Sequence, residues 1–479
     1  MTKRKRILVR CCAIAMLAVF VFSLTMAGGN EVYATSDRGI ADYLNNRELL
    51  DGTTITIFHL NDPNSGTFDR YGIRAAAQMY MMQNRGIIID IRRFADTESL
   101  GEALLADFIA GTLDDVLIDS RAIDWRNPSV SADFVDWFET MQTDPNFNEA
   151  DWFTNAFDAM AIDGRLTAFP RGFLFGMIGA NSEVAGLVDA LAQYETITNA
   201  DLLRLHETFG AYRPHLYHSH NSVHTPIYHL YEFLDIEAGR VEFDSEEFID
   251  LIVRSNNIPR SNSPFLQYAD GFELPFSTTV GGFSLEGLRN LSEDYLFLQY
   301  IAPHNLMPFF RAQQPYVFAG NVPMVDTDGN LLIVHTEPAF LLSPNATTAQ
   351  QAVAWDFMQF LQNPENTLSI SRMRTLPVYK PLFHHEIGLS VRDDIAFFEN
   401  PMRDTIPIDL SMENPVEYYI ERITEILYAL ANEPMRHIQP FGQAIEDIIV
   451  NTMTDFGDGL ISAEQAAEYL QSRIENYIR

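Results

Sequence analysis

The chain has 479 residues, of which 47% are hydrophobic and 12% aromatic, so it is long enough for two or three globular domains. It holds 32 Lys and Arg against 65 Asp and Glu, and the formal net charge of −33 disfavours nucleic acids and anionic membranes as partners. No Gly-Lys pair occurs, which excludes a P-loop, and Lys380 is the only lysine after position 5.

The N-terminus has the pattern of a secretory signal. Basic residues at 3–6 and 10 precede an apolar run over 11–26, and small residues suited to a signal peptidase follow it. We expect residues 1–34 to be removed on export, so that the mature protein lies outside the cell or at its surface. An uncleaved N-terminal anchor is the alternative. Cys11 and Cys12 are the only cysteines, so no disulfide or thiol chemistry is expected after the signal.

The first half of the mature chain alternates between strand and helix patterns. Residues 35–52 are polar and are interpreted as a tether. Strands are predicted over 53–60, 87–94 and 116–118, and helices over 68–84 and 97–110. This order is typical of a parallel α/β sheet, in which ligands meet the loops at the carboxyl ends of the strands. Asn61, Asp62, Asp119 and Ser120 occupy those ends and are candidate ligand-binding residues.

The second half continues with strands, tight turns and helices. A hairpin turn at 163–165 precedes an apolar strand over 173–180, and a turn at 326–330 joins strands over 322–325 and 331–335. Helices are predicted over 349–362, 417–432 and 462–478. Ser462 and Gln465 form a capping box at the start of the last helix.

Four segments carry recognisable motifs: 102–120 (EALLADFIAGTLDDVLIDS), 161–181 (AIDGRLTAFPRGFLFGMIGAN), 337–366, and 459–478 (GLISAEQAAEYLQSRIENYI). Taken in this order, they resemble the extracellular solute-binding proteins that serve ABC importers for sugars. The second is similar to the family's hinge strand at Asp163, Gly164, Pro170 and Asn181. The fourth is similar to the family's closing helix.

The resemblance implies an α/β, two-lobed periplasmic-binding-protein-like fold with a hinge of two or three crossing segments. Ligand would bind between the lobes, and a membrane permease would receive it. The expected organisation is a signal peptide at 1–34, a polar tether at 35–52, lobe 1 at 53–172 and 336–380, and lobe 2 at 173–335 and 381–479.

Five further residues are candidate ligand contacts: Trp125, Arg171, Phe173, Glu337 and Tyr379. An aromatic face such as that of Trp125 can stack on a sugar ring, although a core position is the alternative. Arg171 could donate a forked pair of hydrogen bonds, or could form an ion pair with a neighbouring acid. Glu337 begins the second crossing segment and could accept from a ligand hydroxyl, with a surface acid at a strand end as the alternative. Tyr379 lies in LPVYK, which resembles a third crossing segment, and could reach the ligand or simply pack there.

Six histidines lie within 24 residues, at positions 206, 215, 218, 220, 224 and 229. Imidazoles near carboxylates suit zinc, but the polar surroundings favour a surface loop. No metal and no cofactor is therefore expected.

The sequence is thus interpreted as a non-enzymatic, monomeric binding component of an ABC importer with a carbohydrate ligand. The motifs G-x-S-x-G and H-E-x-x-H are absent. A secreted glycosidase, which needs only two suitably spaced carboxylates, remains an alternative. A zinc-binding or peptide-binding protein of an importer is another.

Overall fold

The computed structural model describes residues 38–60, 72–110, 117–123, 125–181, 185–209, 232–236, 238–257, 296–301, 306, 318–334, 339–367, 375–398, 413–437 and 443–478. The chain divides into two compact units. The first comprises 1–148, 161–169 and 338–371, and the second comprises 149–160, 170–337 and 372–479. The lobe boundaries given above stay a prediction, and the proposed signal lies outside the described residues.

The described strands and helices are numbered in chain order. The strands are β1 (Thr54–Leu60), β2 (Ile88–Phe94), β3 (Leu117–Asp119), β4 (Ala168–Phe169), β5 (Gly172–Asn181), β6 (Leu234–Asp235), β7 (Arg240–Val241), β8 (Leu296–Ile301), β9 (Phe318–Pro323), β10 (Leu331–Val334), β11 (Phe340–Leu342), β12 (Leu376–Pro377) and β13 (Met435–His437). The helices are α1 (Ile40–Asn45), α2 (Ile73–Gln83), α3 (Thr97–Ala110), α4 (Pro128–Ser131), α5 (Trp137–Thr143), α6 (Thr154–Asp158), α7 (Leu187–Leu191), α8 (Asn199–Phe209), α9 (Glu246–Asn257), α10 (Thr348–Gln362), α11 (Pro364–Thr367), α12 (Lys380–Phe398), α13 (Pro415–Ala431), α14 (Gln443–Gly457) and α15 (Ala463–Ile478).

The first unit contains a five-stranded sheet in the order β2-β1-β3-β11-β4. Both β2 and β3 run parallel to β1, whereas β11 runs antiparallel to β3 and β4. The predicted strand–helix–strand–helix–strand order and its parallel sheet are therefore confirmed. β-Branched and aromatic residues fill these strands, and Ile55, Ile57 and Phe58 of β1 are fully buried.

Two tryptophans anchor the core of the first unit. The indole Nε1 of Trp137 donates a hydrogen bond to the Phe340 carbonyl at 2.9 Å, and that of Trp355 donates to Asp144 Oδ2 at 2.8 Å. Their ring centroids lie 6.2 Å apart, and both side chains are fully buried. Satisfying the single polar atom of each indole lets these large side chains bury their whole surface.

The start of the first unit differs from the tether expected at 35–52. Residues 40–50 form α1 and a short 3₁₀ turn, Arg47–Leu50. Ile40, Tyr43 and Leu50 are buried. Arg47 donates to Asp356 Oδ1 at 2.6 Å. The reason is physical: three apolar side chains spaced through a polar stretch bury enough surface to hold it against the core of the unit.

The second unit contains a six-stranded sheet centred on β5. Its path is β12-β5-β10-β13, and β8 and β9 also pair with β5. All four neighbours of β5 run antiparallel to it, while β13 runs parallel to β10. The predicted turn at 326–330 is present, because Asp326 Oδ1 accepts from the backbone N–H groups of Asp328 and Asn330 at 2.9 and 2.8 Å.

The second unit buries two separate hydrophobic clusters. One joins β5, β9 and β10 to α7 and α8, with Ile178, Leu187 and Leu191 at its centre. The other joins α9 to α14 and α15, with Phe248, Ile449 and Leu470 fully buried.

The capping box predicted at Ser462 and Gln465 is present at the start of α15. Within the described ranges, no helix is both long and apolar enough to cross a membrane.

Candidate functional site

The nine candidate ligand-binding residues fall into three groups. Asp119, Ser120 and Trp125 belong to the first unit, and Arg171, Phe173 and Tyr379 belong to the second. Asn61, Asp62 and Glu337 lie outside the described residues.

The carboxyl ends of β1 and β3 meet at one edge of the first sheet. Phe58 pairs with Ile118 in the parallel register, so the residues that follow, His59, Leu60 and Asp119, lie side by side. His59 Nδ1 is 3.1 Å from Asp119 Oδ2. Parallel pairing therefore brings polar groups from separate sequence segments together at this edge. Ligand binding there stays a prediction.

The Asp119 carboxylate receives hydrogen bonds from two segments. Oδ2 accepts from the Leu60 N–H at 3.1 Å and from Arg121 Nη2 at 2.6 Å, while Oδ1 accepts from Arg121 Nε at 2.9 Å and the Arg121 N–H at 3.2 Å. Asp119 is fully buried. A carboxylate offers about four acceptor positions, so these donors and His59 leave Asp119 little capacity for a ligand hydroxyl.

The charge state of Asp119 follows from these contacts. Burial raises the pKa of its carboxyl, but hydrogen bonds from Arg121 and His59, together with their charges, lower it by more. The net pKa lies well below the usual range for an aspartate, so Asp119 is ionised at neutral pH.

Ser120 is held by backbone pairing. Its N–H donates to the Ala339 carbonyl at 2.9 Å, and it opens a 3₁₀ turn over Ser120–Ala122. Its exposed fraction is 3%. This bond connects the end of β3 to the residue that precedes β11.

Trp125 follows that turn and is buried, with an exposed fraction of 3%. The guanidinium carbon of Arg126 lies 4.4 Å from the centroid of its ring. A ligand would reach the Trp125 ring only after neighbouring groups move. Its stacking role stays a prediction.

Arg171 and Phe173 flank the start of β5 in the second unit. Both are buried, with exposed fractions of 2% and 0%. The Arg171 carbonyl accepts from the Val378 N–H at 3.2 Å, and the Phe173 ring packs edge-on against Phe153 at 5.8 Å. Phe173 thus has a clear packing function in the core, and its ligand contact stays a prediction.

Tyr379 lies just after β12, where it forms a backbone bridge with Trp152. The two ring centroids are 4.8 Å apart, and Tyr379 is half-buried. Burial and the nearby Asp151 carboxylate raise the pKa of its phenol, so the hydroxyl keeps its proton at neutral pH and can donate a hydrogen bond. The neighbouring Lys380 donates from Nζ to the Ala150 carbonyl at 3.0 Å.

Two of the residues whose side chains contact Asp119 were not predicted from the sequence. His59 and Arg121 both contact Asp119, yet neither is among the nine candidates. A signal existed in each case: His59 is the one ionisable side chain among residues 53–60, and Arg121 stands two residues after a strand-end aspartate.

The histidine-rich segment contributes little to the described structure. His206 lies on α8, and the other five histidines are outside the described residues. Across the described ranges, no group of three or more His, Cys, Asp or Glu side chains could hold a metal ion. The zinc hypothesis therefore stays open for 210–231.

Comparisons of sequence detect no relative: no protein-family model and no curated protein matches the chain. Comparisons of structure do find similar proteins. The sugar-binding protein MalE of Xanthomonas citri has a TM-score of 0.54 at 12% identity, over 89% of this chain and 97% of that one. An extracellular solute-binding protein of family 1 from Alicyclobacillus acidocaldarius has a TM-score of 0.52 at 12% identity, over 89% and 99%.

A third similar structure is the cyclic alpha-maltosyl-1,6-maltose binding protein of Arthrobacter globiformis. Its TM-score is 0.50 at 14% identity, over 89% of this chain and 99% of that one. At such low identity these similarities establish the fold alone. The chain has the periplasmic-binding-protein-like α/β fold, which confirms the predicted fold class.

Proposed function

We propose that this protein is the solute-binding component of an ABC importer and that its ligand is a carbohydrate. It captures the sugar outside the cell and delivers it to a membrane permease. Capture between two lobes, implied by the family resemblance, is part of the proposal. The protein acts by binding and release, without turnover.

The observation that carries this proposal is the extent of the structural similarity. It spans nearly the whole length of proteins whose names state that they bind sugars, including MalE and a cyclic maltosyl-maltose binding protein. Fold alone does not define a ligand, so the argument also needs suitable chemistry at the candidate residues.

Tyr379 supplies such chemistry in the second unit. Its ring is half-buried beside Trp152, with the two ring centroids 4.8 Å apart. Its protonated hydroxyl can hydrogen-bond a sugar hydroxyl, while the ring can stack on a C–H face. We therefore propose Tyr379 as a direct ligand contact. The proposal also includes contacts that rest on the sequence analysis, namely Trp125, Arg171, Asn61, Asp62 and Glu337.

Calorimetric titration of the mature protein with a sugar panel tests the proposal. The panel comprises maltose, maltotriose, cellobiose and xylobiose, and we expect saturable binding of at least one of them. Replacing Tyr379 with Leu should weaken that binding about tenfold, the effect of losing roughly 1.4 kcal/mol. Tyr469→Leu is the matched control, because Tyr469 is a 40% exposed tyrosine of the same unit that is not a candidate contact.

The glycosidase alternative is tested in the same samples. Each oligosaccharide is incubated with the protein for a day, and new reducing ends are measured. Steady release of reducing ends would contradict a pure binding function. Absence of both binding and turnover across a wider glycan panel would contradict the carbohydrate ligand.

A further inference from the structure

The carboxyl end of β1 is held by side chains from the end of β3. The parallel pairing of β1 with β3 extends to Phe58 and Ile118. Beyond it, the Leu60 N–H donates to Asp119 Oδ2 at 3.1 Å, and the Leu60 carbonyl accepts from Arg121 Nη2 at 3.0 Å. Side chains thus bond both backbone polar groups of the last residue of β1.

Arg121 is the residue that joins these contacts. Its Nε and Nη2 donate to the two oxygens of Asp119 at 2.9 and 2.6 Å, and Nη2 also bonds Leu60. The planar guanidinium can serve both partners at once because its donors are fixed in a fork. A lysine, with a single nitrogen, could not reproduce this geometry.

Burial strengthens the hydrogen bonds of this arrangement. The Asp119 side chain is fully buried, and that of Arg121 is 27% exposed. Charge-assisted hydrogen bonds to a buried carboxylate are stronger and less screened than those of a surface pair. The arrangement contrasts with Arg92 and Asp107 of the same unit, whose side chains are 48% and 24% exposed.

We infer that Arg121, acting with Asp119, is a positioning residue for ligand binding. The pair fixes Leu60 against the end of β3 and so sets the spacing of the sheet edge at which the first unit would meet its ligand. Arg121 acts through the backbone of Leu60 and does not itself touch the sugar. This inference rests on the proposed function.

The test uses the mature protein with Arg121→Gln, Arg121→Lys, Asp119→Asn and the Asp119→Asn/Arg121→Gln double variant. Arg92→Gln is the matched control, since it breaks another Arg–Asp pair of the first unit. Hydrogen exchange at the Leu60 amide is measured without ligand. Affinity is measured by calorimetry with maltotriose, or with the tightest binder of the sugar panel, at a temperature well below unfolding.

In Arg121→Gln, we expect about tenfold faster exchange at Leu60 and about tenfold weaker sugar binding, the effect of one lost hydrogen bond to a charged group. Arg121→Lys should recover only part of either loss. The double variant should bind no more weakly than the weaker single variant, because both substitutions act through one network. Arg92→Gln should change neither quantity.

Three results would overturn the inference. If Arg121→Gln melts earlier but binds the sugar with wild-type affinity, the pair only stabilises the fold. If affinity falls while Leu60 exchange is unchanged, Arg121 contacts the ligand directly. If the wild-type protein binds no sugar, the proposed function itself fails, and that failure is seen without any variant.

Discussion

Asp119 and Asp144 are buried acids whose oxygens accept several hydrogen bonds, most of them from residues distant in the sequence. Asp144 Oδ2 accepts from Trp355 Nε1 at 2.8 Å and from Gln359 Nε2 at 2.7 Å. Asp119 is held by Leu60, His59 and Arg121. Because a buried carboxylate is costly unless it is paired, each of these acids stabilises the packing only together with its partners.

Asp119 should make the free energy of unfolding of the protein depend on pH in the acidic range. Its pKa is lowered in the folded protein, so its contribution is fully present above the unfolded value of about 4 and is lost as pH falls toward the lower folded value. We expect Asp119→Asn to be less stable than wild type at pH 6, with a smaller difference at pH 3. Urea unfolding at the two pH values measures this. A difference that does not change with pH would mean that the substitution acts through packing alone.

At the scale of elements, β5 and β12 come unusually close where the chain enters β5. Gly172 pairs with Pro377 in the antiparallel register. A Cβ atom at Gly172 would lie 2.7 Å from the Leu376 carbonyl oxygen and would also overlap Thr375. Only glycine lets the two backbones approach this closely.

Gly172→Ala should therefore destabilise the protein by about 1–3 kcal/mol, because the obstructing atoms include backbone that cannot rotate away. Gly388→Ala is the matched control. Gly388 lies in α12, and its added Cβ would meet only the end of Arg392 at 3.8 Å. That change should stabilise the helix by about 0.5–1 kcal/mol. Chemical denaturation compares the two, and equal effects would contradict the close approach inferred here.

At the scale of the whole molecule, the chain passes from one unit to the other five times. Neither unit is a continuous stretch of sequence, so each is completed only when later segments return to it. β11 and α10, for example, come from 338–371 yet complete the sheet and core begun by β1–β3.

A sugar that binds only the folded protein must stabilise it by mass action. At a ligand concentration 100 times the dissociation constant, the gain is about 2.7 kcal/mol, and the melting temperature should rise accordingly. Differential scanning calorimetry of residues 35–479, with and without the sugar identified by titration, measures this. Tyr379→Leu should require a higher sugar concentration for the same rise. An unchanged melting temperature at saturation would show that the calorimetric heats do not arise from binding to the folded state.

The sequence by itself determined the local elements and the fold class. Residues 54–60, 97–110 and 348–362 form the strand and helices that their apolar periodicity predicts, and the turn at Asp163 and Gly164 has the positive φ angles of 50° and 71° that a tight hairpin needs. These features follow from interactions between residues close in the chain. The parallel order of the first three strands follows from their alternation with helices.

Only the tertiary structure decided how the candidate residues are used. The docking of 40–50 on the core and the hydrogen bond from the Leu60 N–H to Asp119 depend on partners up to hundreds of positions away. Local patterns carry no record of such partners. The sequence could therefore place Asp119 at a strand end, but the pairing of β1 with β3 determined which donors meet its carboxylate.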